Sequence, residues 1–306
     1  METGKAGLKD IRNILKRNRG VMLKSNIIGS DFSFLKRKEE YLVFKIEPMV
    51  FYRSLSINEN ALLSVIFPLN DFVTSGTWPS IAMIDFEGPT GAGKEFYEYV
   101  DRILHLLGER GIKVASGHTG SYGNLGYGVA GTMALVGFNE PIFSFRRVSR
   151  EDSFYSVGLL GNELSFFRER KGGNVAKDPL DLSIETYISE FLKIRKAVHF
   201  VHDISEGGLM RALGELSYLL HFGFNVESGD LKPVTAEGVR DYGSRIFSSS
   251  SSGSLVVSVD SKRKKEFEKV AKDNSWYVFE IGKTAGGVTL DGKRYEAADS
   301  VLDFLL

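Results

Sequence analysis

The chain has 306 residues, with 39 basic and 39 acidic side chains, 33 glycines and no cysteine. Without cysteine there is no disulfide framework, thiolate-bound zinc, iron–sulfur cluster or thiol nucleophile, and a net charge of zero supplies no field to attract nucleic acid or an anionic membrane. The 42% apolar and 25% charged content is that of a globular protein, and the length fits two domains of about 150 residues, each able to bury its own core.

Leu8, Ile11, Ile14 and Leu15 recur at helical spacing and predict a short basic amphipathic helix. Residues 41–46 read as a strand that ends at Glu47-Pro48, and a helix runs from about Asn58 towards Gly76, bent or interrupted at Pro68. A strand over 80–86 precedes a helix over 95–109 with Phe96, Val100, Ile103, Leu104 and Leu107 on one face, followed by strands over 112–115 and 129–136. Charge and Pro141 mark 138–150 as the boundary, which gives domains 1–145 and 146–306. The second half reads as a strand over 154–160, a polar Gly-rich loop through Asp178-Pro179, a helix over 183–198 and a short strand over 199–204. A helix striped by Leu209, Leu213, Leu216 and Leu220 follows. The serine run 248–252 reads as flexible and low in complexity. Beyond it come a strand over 255–259, a charged helix over 262–272, strands over 277–281 and 287–290, and a terminal helix over 297–306. The fold class is mixed α/β (α+β). No segment reaches the ~20 apolar residues of a membrane span, and residues 1–20 lack the apolar core of a signal peptide. Cytoplasmic placement is therefore the default expectation.

Four patterns carry chemistry. Gly88-Pro-Thr-Gly-Ala-Gly93-Lys94 fits a phosphate-binding loop between a strand and a helix. The next residue is Glu95, whose carboxylate beside polyphosphate costs on the order of several kcal/mol, so the segment is either such a loop acting through Lys94 or a plain flexible connection. His202-Asp-Ile-Ser-Glu-Gly-Gly-Leu209 enters the Leu-striped helix, and two glycines in a first helical turn cost about 1 kcal/mol each relative to alanine. Either they admit a phosphate to the exposed amides, with Ser205 as the N-cap and Asp203 beside it, or they permit tight packing of helix on sheet. A Gly-rich loop, residues 116–128, leaves a predicted strand. Asp71, after Asn70, sits late in an apolar helix, where a carboxylate needs a partner, a metal or solvent. The five histidines show no H-x-x-x-H spacing, no G-x-S-x-G elbow is present, and the basic runs are short solvated faces.

In this order the motifs resemble the ATP-dependent aminoimidazole ribonucleotide synthetase-like superfamily. Its members include formylglycinamidine ribonucleotide amidotransferase, thiamine-monophosphate kinase, selenophosphate synthetase and the nitrile-forming hydrogenase maturation factor. The segment His202–Leu209 is similar to the second-domain signature, and Asn70-Asp71 with Gly76 and Pro79 to the first-domain helix motif. Gly117-His118-Thr119 and Gly131-Thr132 resemble the segments that close the nucleotide site. The resemblance implies a homodimer whose first domains pair their sheets into a barrel, with ATP and Mg2+ in a nearby cleft. It implies phosphoryl transfer to, or ATP-driven activation of, an oxygen of a small molecule. It places catalysis on Asp71 and Asp203, and nucleotide contacts on Asn70, Gly117, His118, Thr119, Ser205, Gly207 and Gly208. Magnesium falls to Asp31, Glu47 and Asp71. Ser30 stands where a second aspartate is expected, Glu47 lengthens a carboxylate, and Gly120 replaces an acidic residue. That depletion leaves open a non-catalytic dimeric relative with a regulatory or assembly role. The missing cysteine argues against the hydrogenase maturation and selenophosphate activities.

Overall fold

The computed structural model describes residues 13–14, 17–21, 23–25, 28–91, 93–121, 128–173, 176–229 and 234–295. The terminal helix expected over 297–306 lies outside them, as does the amphipathic helix near the start apart from Ile14 and Asn13, which are helical.

Five strands form the first sheet: β1 (Ser33–Arg37), β2 (Glu40–Phe51), β3 (Ile81–Gly88), β4 (Lys113–Ser121) and β5 (Gly128–Gly137), in the order β1-β2-β5-β3-β4. Only β3 and β4 run parallel, because the crossover α2 (Gly93–Glu109) joins them. β2 does not stop at Glu47-Pro48 as the sequence predicts. It continues to Phe51 through a register shift between Pro48 and Val50, an irregularity that tolerates a residue with no N–H to donate. The helix α1 (Ile57–Val73) likewise passes Pro68 unbroken. Ser56 and Glu59 cap its start reciprocally, with Glu59 N donating to Ser56 Oγ and Ser56 N to Glu59 Oε2. Burial of Leu63, Val65, Ile66, Leu69, Phe72 and Val73 outweighs the hydrogen bond that Pro68 forgoes. In α2 the buried face is Phe96, Tyr99, Ile103, Leu106 and Leu107. Leu104, expected there, is 42% exposed.

The second sheet holds β6 (Ser153–Val157), β7 (Val198–Asp203), β8 (Gly223–Val226), β9 (Leu255–Val259), β10 (Val278–Thr284), β11 (Val288–Leu290) and β12 (Lys293–Arg294), in the order β12-β11-β8-β10-β6-β9-β7. The polar segment read as a loop instead contains α3 (Asn162–Lys171), whose Leu164, Phe166 and Phe167 are buried. Its run of adjacent aromatics shows no clear stripe, which hid it from periodicity. The next helix, α4 (Glu185–Lys193), is shorter than predicted; α5 (Gly208–Leu220) and α6 (Lys264–Asp273) complete the half.

The first sheet ends at Gly137 and the second begins at Ser153, but the core does not divide there. Phe72 and Val73 of α1 share one apolar cluster with Phe143, Phe191 of α4, Val257 of β9 and Phe267 of α6. A separate cluster lies beneath α5, around Leu209, Leu213, Phe154, Phe224 and Val256. Phe191 is fully buried and meets Phe143 and Trp276 edge-on. Phe191→Ala is expected to cost about 3–5 kcal/mol. Because the cluster spans both halves, circular dichroism and tryptophan fluorescence should still report a single coincident denaturant transition. Separated transitions would show that the halves unfold independently.

Candidate functional site

Alternation along β2 places Val43, Lys45 and Glu47 on the face that α1 covers, while Phe44, Ile46 and Pro48 face away. Val43 is fully buried there, so the two charges that follow it must find partners. They find each other and the helix. Lys45 Nζ lies 2.6 Å from Glu47 Oε1 and forms an ion pair with Asp71 Oδ2. Asp71 itself is 9% exposed. Burial alone would lower the Lys45 ammonium, but Asp71 and then Glu47 outweigh it and hold the ammonium above its ordinary value. The Glu47 carboxyl is pushed up to about 7, by burial first and by Asp71 next, against the pull of Lys45.

These groups form one wall of a cleft between the halves, a space of about 150 Å³. The facing wall carries Asp203 and Ser205 after β7, Glu206, Glu163 from α3, and Ser250 and Ser252. Five carboxylates therefore line it: Glu47, Asp71, Glu163, Asp203 and Glu206. Oxygen-only ligands of this kind suit a hard divalent cation such as magnesium. Tyr52 lies among them, and burial, Glu163 and Glu206 together raise its hydroxyl above the ordinary range.

The serine run, expected to be flexible, is buried from Ser248 to Ser252. Its polar groups are used internally: Gly161 N donates to Ser251 Oγ at 2.7 Å, and Ser250 and Ser252 hydroxyls both bond Glu163 Oε2, the latter at 2.6 Å. The same loop explains the paired glycines. Gly207 and Gly208 have φ of 81° and 62°, and a Cβ on Gly208 would come within 2.6 Å of the carbonyl oxygens of Phe247 and Ser249. The chain's own backbone fills the space where a side chain at 208 would stand, so glycine is required there by packing. The N-cap is Gly207, not Ser205, because the left-handed turn displaces Ser205, whose carbonyl accepts from Gly208 N at 3.0 Å.

The other expected residues divide. Asn70 lines the cleft, yet its amide is committed across the seam: Nδ2 donates to Leu182 O at 2.7 Å and Oδ1 accepts from Ile184 N at 3.1 Å. Gly117, His118 and Thr119 lie not in a loop but within β4, exposed at the sheet edge and paired to Ile84, Asp85 and Phe86. Asp31 turns to the second half, accepting from Asp203 N at 3.0 Å and standing 3.3 Å from His202 Nε2. Asp31, His202 and Asp203 present ligand atoms all within 4.8 Å of one another, a proximity that histidine spacing in the sequence did not reveal. Lys94 points away, 90% exposed and paired with Glu98 at 3.0 Å, and nothing lies within 4 Å of where a Cβ on Gly91 or Gly93 would be. The segment is an open connection from β3 to α2. Sequence reasoning missed Lys45, Glu163, Glu206 and Tyr52. For Lys45 the signal was available: a strand that buries Val43 and then places charges at every second residue.

Comparison with known proteins shows what this fold and cleft resemble. Residues 156–293 match the family described as AIR synthase related protein, C-terminal domain. The chain is similar to the phosphoribosylformylglycinamidine synthase subunit PurL of Corynebacterium glutamicum, 24% identical over 247 residues, which is 76% of this chain and 31% of that protein. It thus spans about a third of the length of that relative. In structure it is similar to AaThiL complexed with AMPPCP and TMP, with TM-score 0.70 and 18% identity over 97% of this chain and 99% of the other. The Escherichia coli hydrogenase maturation protein HypE is also similar, with TM-score 0.65 and 17% identity over 86% and 85% of the two chains. No described helix is long and apolar enough to cross a membrane.

The raised Glu47 gives a pH signature. A carboxyl whose folded value exceeds its unfolded one binds its proton preferentially in the native state. Its contribution is full below the ordinary carboxylate range and is lost as pH rises through about 7. In chelator-treated protein, the denaturation midpoint should fall more between pH 5 and pH 8 in the wild type than in Glu47→Gln. Equal slopes would show that Glu47 titrates normally.

Proposed function

We propose that the protein is an ATP- and magnesium-dependent enzyme that phosphorylates an oxygen of a small molecule, either as product or to create a leaving group. The observation that carries this reading is the set of carboxylates, Asp71 and Glu47 facing Asp203, in the cleft between two sheets of an AIR synthase-like fold. The AMPPCP bound in the similar ThiL complex supports a nucleotide here.

Glu47 and Asp71 would hold magnesium with Asp203 across the cleft, and the ion would supply charge neutralisation of the phosphates. Lys45 orients the two carboxylates until then, and its ammonium would be available to a transferring phosphoryl group. The space suits a polyphosphate chain with its metal rather than a whole nucleotide, whose outer part would contact Gly117, His118 and Thr119 by the family resemblance. Ser205 and Gly207 would contribute contacts beside Asp203. Asn70 serves by fixing the seam that defines the cleft width.

A homodimer is the second part of the proposal. The outward face of the first sheet is apolar across neighbouring strands: Ile46, Ala134 and Met83 stand in register, with Phe44, Val136 and Ile81 in the adjacent row. Ile46 is 64% and Met83 43% exposed. Asp85 on the same face has a buried oxygen with no hydrogen bond. A second copy would cover this face and close the barrel of the family.

A non-catalytic relative remains a specific second reading, because Lys45 already pairs with both carboxylates that magnesium would take. Calorimetry with ATP and magnesium separates the cases. Asp71→Asn should weaken magnesium-dependent nucleotide binding at least about tenfold, and Lys94→Ala should leave it unchanged. Binding without turnover of any small-molecule acceptor would favour the regulatory reading; no binding at all would overturn the proposal. Light scattering should report a dimer that Ile46→Asp converts to monomer, and a wild-type monomer would refute the barrel.

A further inference from the structure

Both tryptophans of the chain, Trp78 and Trp276, line one space of about 440 Å³ at the seam between the halves. Trp78 belongs to the connection from α1 to β3, and Trp276 follows α6. The space shares no lining residue with the carboxylate cleft. Its second-half wall is built locally. α6 ends in a turn in which Trp276 N donates to Ala271 O at 2.9 Å and Ser275 N to Lys272 O at 3.0 Å. That pattern needs a left-handed residue, which glycine normally supplies. Here Ser275 adopts it, with φ of 55°, and the strained turn carries Asn274 and Trp276 into the lining. Tyr187 and Phe191 of α4 pack against the Trp276 ring at centroid distances of 4.9 and 5.4 Å, so the indole is held in place by the core.

The polar groups of the lining are mostly acceptors, because their donors are spent on the chain itself. Asn274 Nδ2 donates to Val270 O and Ser189 Oγ to Glu185 O, each at 2.9 Å. That leaves Asn274 Oδ1 and the serine lone pairs to accept. Glu185 and Glu190 add two carboxylates, and among the described residues no lysine or arginine lines the space. The partners of those carboxylates stand outside the lining. Lys193 Nζ lies 2.6 Å from Glu190 but is 68% exposed. Arg110 Nη2 is 3.7 Å from Glu185, which also accepts from Ser183 Oγ at 3.2 Å. Ion pairs this long or this exposed contribute little, so they do not bar a cation that enters the space.

The complementary ligand is a cation, rich in N–H donors and flat enough to stack on an indole. A quaternary ammonium has no donor to offer, and a primary ammonium is a compact, strongly hydrated point charge. A guanidinium meets every condition: its donors lie in one plane, it is weakly hydrated, and it stacks on aromatic faces. The volume falls within the roughly 300–1,000 Å³ usual for small-molecule sites. We infer that this space binds a small molecule carrying a guanidinium group on a short alkyl stem, with its plane against an indole and its N–H groups on Glu185, Glu190 and Asn274. The site does not depend on the ATP-dependent reading and stands if that reading fails.

The test titrates the full chain with arginine at constant ionic strength and follows tryptophan fluorescence, since every indole of the chain borders the site. A saturable change is expected. Citrulline, which keeps the stem but replaces the guanidinium with a neutral urea, should bind about tenfold more weakly or worse. Glu190→Gln and Asn274→Ala should each weaken arginine binding by about threefold or more. Trp78→Phe and Trp276→Phe each leave a single reporter, and both variants should respond to arginine. A blocked peptide, acetyl-Gly-Arg-Gly-amide, should bind less tightly than free arginine. The proposal is overturned if arginine gives no saturable change, if citrulline matches it, or if a response is confined to one tryptophan. It is equally overturned if Glu190→Gln and Asn274→Ala, folded by circular dichroism, both bind arginine as the wild type does. Tighter binding of the peptide would assign the guanidinium to a partner protein and overturn the small-molecule ligand.

Discussion

The buried ammonium of Lys45 stands between a strand carboxylate, Glu47, and a helix carboxylate, Asp71. Taking three charges out of bulk water is costly, and the cost is offset only while all three stay together; removing one partner of such a set typically costs about 3–5 kcal/mol. The interaction therefore fixes where α1 lies on β2, and with it the floor of the cleft. It also sets the charge that any ligand meets. A wall that would otherwise repel phosphate contains its own cation, and the net demand for positive charge falls on whatever enters from solvent.

The opposite wall is held by different means. Asn70 reaches from α1 to both sides of Ser183, bonding Leu182 and Ile184, and the apolar cluster continues through Phe143 and Phe191 into the second sheet. Two sheets that share a core cannot slide past one another without exposing aromatic surface, so the separation of Asp71 from Asp203 is a property of packing. The buried serine loop works in the same direction. It has no large apolar side chain to bury, and it is ordered because its hydroxyls and carbonyls satisfy the start of α3. Glycine at 208 is required by contact with the same loop.

Much of the fold was legible in the sequence because period and capping are local. The strands around β3, β5 and β9, the helices α1 and α5, and the ordered motifs at Asn70-Asp71 and His202–Gly208 all follow from spacing within a dozen residues. The failures have one cause. Pro48 and Pro68 forecast breaks that bulge geometry and burial override; α3 lacks a stripe because both its faces are covered; serines 248–252 look disordered until a partner loop is placed against them. In each case the deciding energy comes from residues distant in sequence.

The candidate site divides along the same line. The sequence by itself determined the resemblance to AIR synthase-related proteins, the mixed α/β class and the residue types available: carboxylates at 47, 71 and 203, a histidine at 202, and no thiol. Only the tertiary structure decided the pairings. It brought Lys45 to Asp71, turned Asp31 towards His202 and Glu215, set β4 with Gly117–Thr119 at a sheet edge and left Lys94 in solvent. Chemistry at a site depends on distances of a few ångströms between residues more than a hundred positions apart. Such distances are products of core packing across the seam, which no local pattern encodes.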